Sequence, residues 1–153
     1  MKEELNGLDM ELLRHYQDNA SLTNRQMARK VNKSEATVCN RRKKLEKMGA
    51  LDSIKAQLNP AFLNIDAIGF VELSVERQSD TTMQELKTQL DLIKGICSCI
   101  SITGTTSLEV KIAAENTRAF NRIKDRIASI PHVTVVKTKM LLEEIIPDKG
   151  YHF

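Results

Sequence analysis

The sequence has no tryptophan, and aromatic residues make up only 4% of its 153 positions. Readers of RNA and single strands stack bases on aromatic rings, so this class is disfavoured. No apolar run approaches the roughly 18 residues that a membrane helix needs. The opening MKEELNGLDM carries acids and no apolar stretch of the signal-peptide kind, so a soluble, cytoplasmic protein is expected. Cysteines number three, Cys39, Cys97 and Cys99. An odd count without a secretion signal reads as free thiols in a reducing compartment. The three histidines, His15, His132 and His152, are scattered and have no evident serine, cysteine or acidic partner. Cys97 and Cys99 share a strand face, but too few ligands accompany them for a zinc site. The reading is therefore no catalytic residue, no metal site, no cofactor and no enzyme.

The chain does have a concentrated positive charge. Its net charge is only +3, yet Asn24 to Lys47 hold nine basic residues and two acidic ones. Residues 61–153 hold 11 basic and 12 acidic residues. Such a cluster in one short segment favours a polyanionic partner.

That segment reads as helix, turn, helix, preceded by a further helix. Asp9 is the expected N-cap of the first, with Leu8 and Leu13 as a staple and Leu12, Leu13 and Tyr16 on one face. Thr23 and Gln26 form a capping box for the second, which ends near Val31. Ser34 caps the third, which runs to Met48 with Gly49 beyond it. Val38 and Leu45 share its buried face, and Ala36, Asn40, Lys43 and Lys47 lie roughly opposite. Small residues allow close approach, asparagine and arginine read base edges, and lysine holds phosphates. The candidate DNA-binding residues are Thr23, Arg25, Lys33, Ser34, Glu35, Ala36, Thr37, Asn40, Arg41, Lys43, Lys44 and Lys47. The expected partner is double-stranded DNA.

The stretch LDMELLRHYQDNASLTNRQMARKVNKSEATVCNRRKKLEKMGAL resembles the winged helix-turn-helix of the Lrp/AsnC family of leucine- and asparagine-responsive regulators. DSIKAQLNP resembles that family's exit strand and hinge. ITGTTSLEVKIAAENTRAF and IPHVTVVKTK continue the likeness toward the end. Two positions depart from the family pattern. Arg42 stands where the family has an aliphatic residue, and Ser107 stands where its effector loop has an acid.

The second half repeats with a period of 37. Met83, Leu86, Leu90 and Ile93 match Phe120, Ile123, Ile127 and Ile130, and Ile96 matches Val133. Val71, Leu73 and Val75 match Leu108, Val110 and Ile112. Each half reads as strand, helix, strand. The expected fold class is thus α+β: an N-terminal winged helix-turn-helix followed by a ferredoxin-like βαββαβ domain. The expected division is 1–52 for DNA binding, 53–66 for a linker strand and hinge, 67–146 for sensing and oligomerisation, and 147–153 for a loose tail.

Helices would cover one sheet face, over Val71, Leu73, Val75, Ile96, Ile100, Ile102, Leu108, Val110 and Ile112. Cys97, Cys99, Thr103 and one side of a strand from Val133 to Ile146 would occupy the other face. A homodimer is expected to cover that second face. The resemblance implies assembly to an octamer. It also implies an amino-acid effector held between dimers by Gly104, Thr105, Thr106, Ser107 and Thr138. The loop was expected between central strands. The function expected is a sequence-specific transcriptional regulator, with a non-sensing architectural DNA-binding protein as the alternative. Haem-biosynthesis decarboxylases share the two-part fold, but they need the histidines and aromatics that this chain lacks.

Overall fold

A computed structural model describes residues 4–76, 79–104 and 108–153. Its contacts divide into two units. One contains residues up to Gln57 together with Asp148–Phe153; the other is Leu58–Pro147.

The N-terminal unit has three helices, α1 (Gly7–Asp18), α2 (Asn24–Lys30) and α3 (Glu35–Lys47). Each start is fixed by a side chain that accepts an otherwise unpaired helix N–H. Asn6, not Asp9, caps α1: its side chain accepts from Asp9 N at 2.9 Å, while Asp9 Oδ2 accepts from Asn6 N at 3.1 Å. Asp9 is thus the third helical residue of a capping box, and Leu8 lies inside the helix. The Thr23–Gln26 box forms as expected. Ser34 accepts from Thr37 N at 3.1 Å.

Both α2 and α3 end in the same way. The left-handed Asn32 (φ 50°) lets Lys33 N donate back to Ala28 O at 3.0 Å. Gly49 (φ 72°) does the same for Ala50 N and Leu45 O at 2.9 Å. Leu12, Tyr16, Met27, Ala28, Val31, Val38 and Leu45 form the core.

Residues 53–59 form no strand. Among the described residues of this unit there is no neighbouring strand to pair the backbone of the exit strand expected there. The tail is not loose either. The side-chain amide of Gln17 donates to Tyr151 O at 2.7 Å and accepts from Tyr151 N at 2.9 Å. Arg14 donates to Phe153 O at 2.6 Å and lies 5.5 Å from that ring's centre. One glutamine on α1 thus does for Tyr151 what a paired strand would do.

The second unit opens with a short 3-10 turn (Pro60–Leu63). It continues with β1 (Ala67–Val75), α4 (Asp80–Asp91), β2 (Ile96–Ser101), β3 (Leu108–Ala114), α5 (Thr117–Ala128) and β4 (Val133–Met140). The two helices begin and end 37 residues apart, as the repeat requires. The antiparallel sheet has the order β2-β3-β1-β4. β1 and β3 are strictly alternating, with every second residue buried. Val71, Leu73, Leu108, Val110, Ile112, Phe120 and Ile127 are at most 3% exposed.

Three expectations about this sheet need correction. β2 is an edge strand, so the loop after it does not join two central strands. β4 ends at Met140, not Ile146. A register irregularity between Ile96 and Ser98 brings Cys99 opposite Val110 and Ile100 opposite Glu109. One extra residue reverses every side chain beyond it. Ile100 therefore joins the open face, 52% exposed, and Cys99 joins the helix side. Ile102 and Thr103 lie past the strand's end, where no pairing assigns them a face.

Gly69 is the tight point of the sheet. An added Cβ would stand 2.4 Å from Lys139 O and 3.0 Å from the Phe120 ring. Gly69→Ala must push β4 outward or displace Phe120. The expected cost is about 1–3 kcal/mol, read as a lower urea midpoint with an unchanged slope.

Candidate nucleic-acid interface and effector loop

The turn at Asn32 sets α3 against α2, with Val38 and Leu45 wholly buried. Their burial fixes the rotation of α3. Ala36, Asn40, Lys43 and Lys47 then fall in an arc of about 60° at 100° per residue, and all four are exposed. Lys33, Ser34 and Glu35 are exposed where the turn enters α3, and Arg25 is exposed at the start of α2. Among the described residues, Lys33, Lys43 and Lys47 have no carboxylate partner. Their charges face solvent, where a phosphate can reach them.

The remaining candidates are differently placed. Thr23 and Ser34 are committed as caps, and Thr37 Oγ1 lies 2.7 Å from Ser34 Oγ. Their hydroxyls are engaged within the fold, although Thr23 and Ser34 are exposed and Thr37 is half-buried. Lys44 is half-buried beside the arc. Arg41 points away from it: its Nη1 lies 3.5 Å from Oδ2 of Asp9, a carboxylate only 2% exposed. This pair joins α1 to α3. Asp9 sits at helical spacing with the buried Leu12 and Tyr16. An acid in an apolar stripe calls for a cation, and that signal was readable in the sequence.

Arg42 also turns inward. It donates to Glu46 at 2.8 Å and lies 5.6 Å from the centre of the Tyr16 ring. The Glu46 carboxylate raises the Arg42 pKa, and burial raises that of the Tyr16 phenol. The stem covers the core while the charge is held locally.

The effector residues are not gathered within one copy. Gly104 follows β2 at one sheet edge, and Thr138 lies on β4 at the other, paired with Val71. Two strands intervene, so the separation across the sheet is about 14 Å at ordinary strand spacing. Gly104 has φ 131° and open space around its Cα. Thr105, Thr106 and Ser107 lie outside the described residues. On the open sheet face Lys139 bridges Glu72 and Glu109, and Ile68, Phe70 and Ile100 flank this cluster. The neighbouring carboxylates raise the Lys139 pKa.

Residues 68–151 match the profile described as the Lrp/AsnC ligand binding domain. Residues 5–51 match a winged helix-turn-helix DNA-binding domain. The chain belongs to the Lrp/AsnC family of transcriptional regulators. It is 24% identical to the leucine-responsive regulatory protein of Rhizobium meliloti over 146 residues, 95% of this chain and 94% of that one. Against the Escherichia coli K12 leucine-responsive regulatory protein the identity is 22%, covering 94% and 88%.

Solved structures share the fold. A transcriptional regulator from Neisseria meningitidis, in complex with L-methionine, superposes with TM-score 0.83 at 24% identity, covering 94% of each chain. The Mycobacterium tuberculosis leucine response regulatory protein gives 0.83 at 22%, covering 97% of this chain and 99% of that one. In this member of the Lrp/AsnC family the helix-turn-helix is the DNA-binding part, and the sheet domain is the ligand-binding part.

The arginine and lysine sites predict opposite phenotypes. Arg41→Ala strands the buried Asp9 carboxylate, and the expected loss is about 1–3 kcal/mol, seen as a lower Tm. Lys43→Ala touches no such partner and leaves stability within about 0.5 kcal/mol. Equal melting of the two variants would refute the structural role of Arg41.

Proposed function

We propose that this regulator lays the Ala36–Asn40–Lys43–Lys47 face of α3 in the major groove of duplex DNA, as a homo-oligomer. The observation that carries this reading is the arc itself: small at its start, one amide in the middle and unpaired cations behind. Ala36 admits close approach, Asn40 matches the donor–acceptor edge of adenine, and Lys43, Lys47 and Lys33 neutralise phosphates. Arg25, Thr23, Ser34, Thr37, Glu35 and Lys44 border this surface. Arg41 serves it indirectly by holding α3 against α1.

Assembly is supported by the apolar surface that the sheet unit leaves in water. Phe62, Leu142 and Ile145 are each at least 86% exposed, and Ile146 is 68% exposed. A second copy is the simplest cover, and two-fold symmetry would place two recognition helices over two half-sites. Octamer formation is the further step that the family likeness suggests.

An amino-acid-like effector is proposed to bind between copies, near Gly104 and Thr138. The L-methionine seen in the Neisseria meningitidis regulator supports the ligand class. Ser107 in place of the family's acid favours a second reading, an architectural protein that senses nothing.

Three measurements test these readings. Lys43→Ala should weaken binding to all duplexes alike and reduce the slope of log K against log salt by about 1. Asn40→Ala should instead lose roughly 1–3 kcal/mol of preference for one base pair. Affinity unchanged in both would refute the proposed face. Sedimentation of the protein with each amino acid, beside duplex binding in the same buffer, separates sensing from architecture. A shift in assembly size or DNA affinity supports an effector; no shift with any of them supports the architectural reading.

A further inference from the structure

Between α4 and the edge strand β2 lies a groove of about 510 Å³. Its lining includes Met83 and Lys87 from the helix and Cys97 and Cys99 from the strand. These three sulfur-bearing residues therefore line one cavity. We propose that Cys97 and Cys99, with Met83 across the groove, form a chelating site for a soft, low-coordinate d10 cation of the Cu+ or Ag+ type.

The irregularity between Ile96 and Ser98 creates this arrangement. Without it Cys99 would lie on the open face of the sheet with Glu109 and Lys111. With it, Cys99 stands opposite Val110 on the helix side, and Cys97 is the extra residue of the bulge. Residues two apart in a strand are separated by about 6–7 Å at their Cα atoms. Two metal–sulfur bonds of roughly 2.3 Å span a linear S–M–S distance of about 4.6 Å. Cys97 has no partner in the register with β3, so its side chain is free to turn toward Cys99 and close that difference, whereas a direct disulfide demands Cβ atoms only about 4 Å apart.

The donor set selects the metal. Zinc and other tetrahedral ions need four ligands, and among the described residues no group of three or more His, Cys, Asp and Glu is gathered. Thiolates and a thioether suit Cu+ and its congeners, for which two or three donors suffice. Both cysteines are free and exposed as residues, so a cation can enter from solvent. Metal binding must displace protons. Two S–H bonds break, two S–M bonds form, and two protons leave to solvent with no change of oxidation state. Two thiolates on one monovalent cation leave a net negative charge, which the ammonium of Lys87 in the same groove offsets.

The test uses the full reduced chain carrying Cys39→Ser, kept anaerobic, in competition with a chromophoric Cu+ chelator. One equivalent of Cu+ should be withheld from the chelator, with about two protons released per metal at neutral pH. Cys97→Ser and Cys99→Ser each remove a direct ligand and should weaken binding by more than the roughly 100-fold that loss of an outer-shell partner costs, with unchanged thermal melting and circular dichroism. Met83→Leu should weaken it about tenfold; no effect would remove Met83 from the site. The proposal is overturned if the Cys39→Ser chain withholds no Cu+. It is equally overturned if either single serine variant keeps the parent affinity.

Discussion

The pairing of β1 with β3 governs the C-terminal unit. Seven consecutive residue pairs join the two strands, and on each strand every second side chain is buried. A one-residue slip would turn Val71, Leu73, Val110 and Ile112 to water and bring Glu72, Glu109 and Lys111 under the helices. Burying several charges together is prohibitive, so this register is strongly determined. β2 and β4 are then added at the two edges of a fixed centre. Both tolerate irregularities because an edge strand has only one neighbour to satisfy. The edges are accordingly where side chains are re-aimed, and Cys99 is the clearest case.

A comparable constraint acts in the N-terminal unit. Asp9 is almost fully buried, so its charge requires a cation nearby, and Arg41 supplies it from α3. Arg42, the next residue, is drawn the other way, to Tyr16 and Glu46. Two of the most conspicuous cations in the basic segment are thereby spent on the fold. Among the described residues, Lys33, Lys43 and Lys47, at the turn and on the outer arc of α3, face water without a carboxylate partner, as do Arg25, Arg29 and Lys30 on α2. Structural use of the arginines thus sharpens the surface offered to DNA, because it removes charge from the sides of the helix and leaves it on the front.

Much of this was legible in the residues. The Thr23–Gln26 capping box, the Ser34 cap, the left-handed residue at Gly49 and the 37-residue repeat are local patterns, and each formed where local physics puts it. Three features escaped for physical reasons. The bulge in β2 leaves no trace in hydropathy, because Ile96, Cys97, Cys99 and Ile100 read as apolar on either face. The first cap went to Asn6 because Asn6 and Asp9 both suit the role, and only the pairing of the buried Asp9 with Arg41 decides between them. The docking of Tyr151 and Phe153 on Gln17 and Arg14 joins residues more than 130 positions apart, which no periodicity can reveal. Of the candidate DNA face, the arc was readable from helical spacing. The inward turn of Arg41 depended on a contact between helices.

The sheet geometry also constrains how any effector could act. Gly104 and Thr138 stand at opposite edges of a four-stranded sheet, so a ligand touching both must be held by two copies. Such a ligand has full affinity only for the assembled form. By linkage it then stabilises that form by as much as assembly improves its own binding. A signal of this kind needs no conformational wire from the sheet unit to the helix-turn-helix. It changes how many recognition helices travel together, and DNA affinity then rises or falls with the spacing and number of half-sites that the assembly can engage at once. The loop and the recognition helix would then be coupled through stoichiometry, and, if the exposed apolar surface around Phe62 and Leu142 is where copies meet, substitutions there would change effector response and DNA occupancy together.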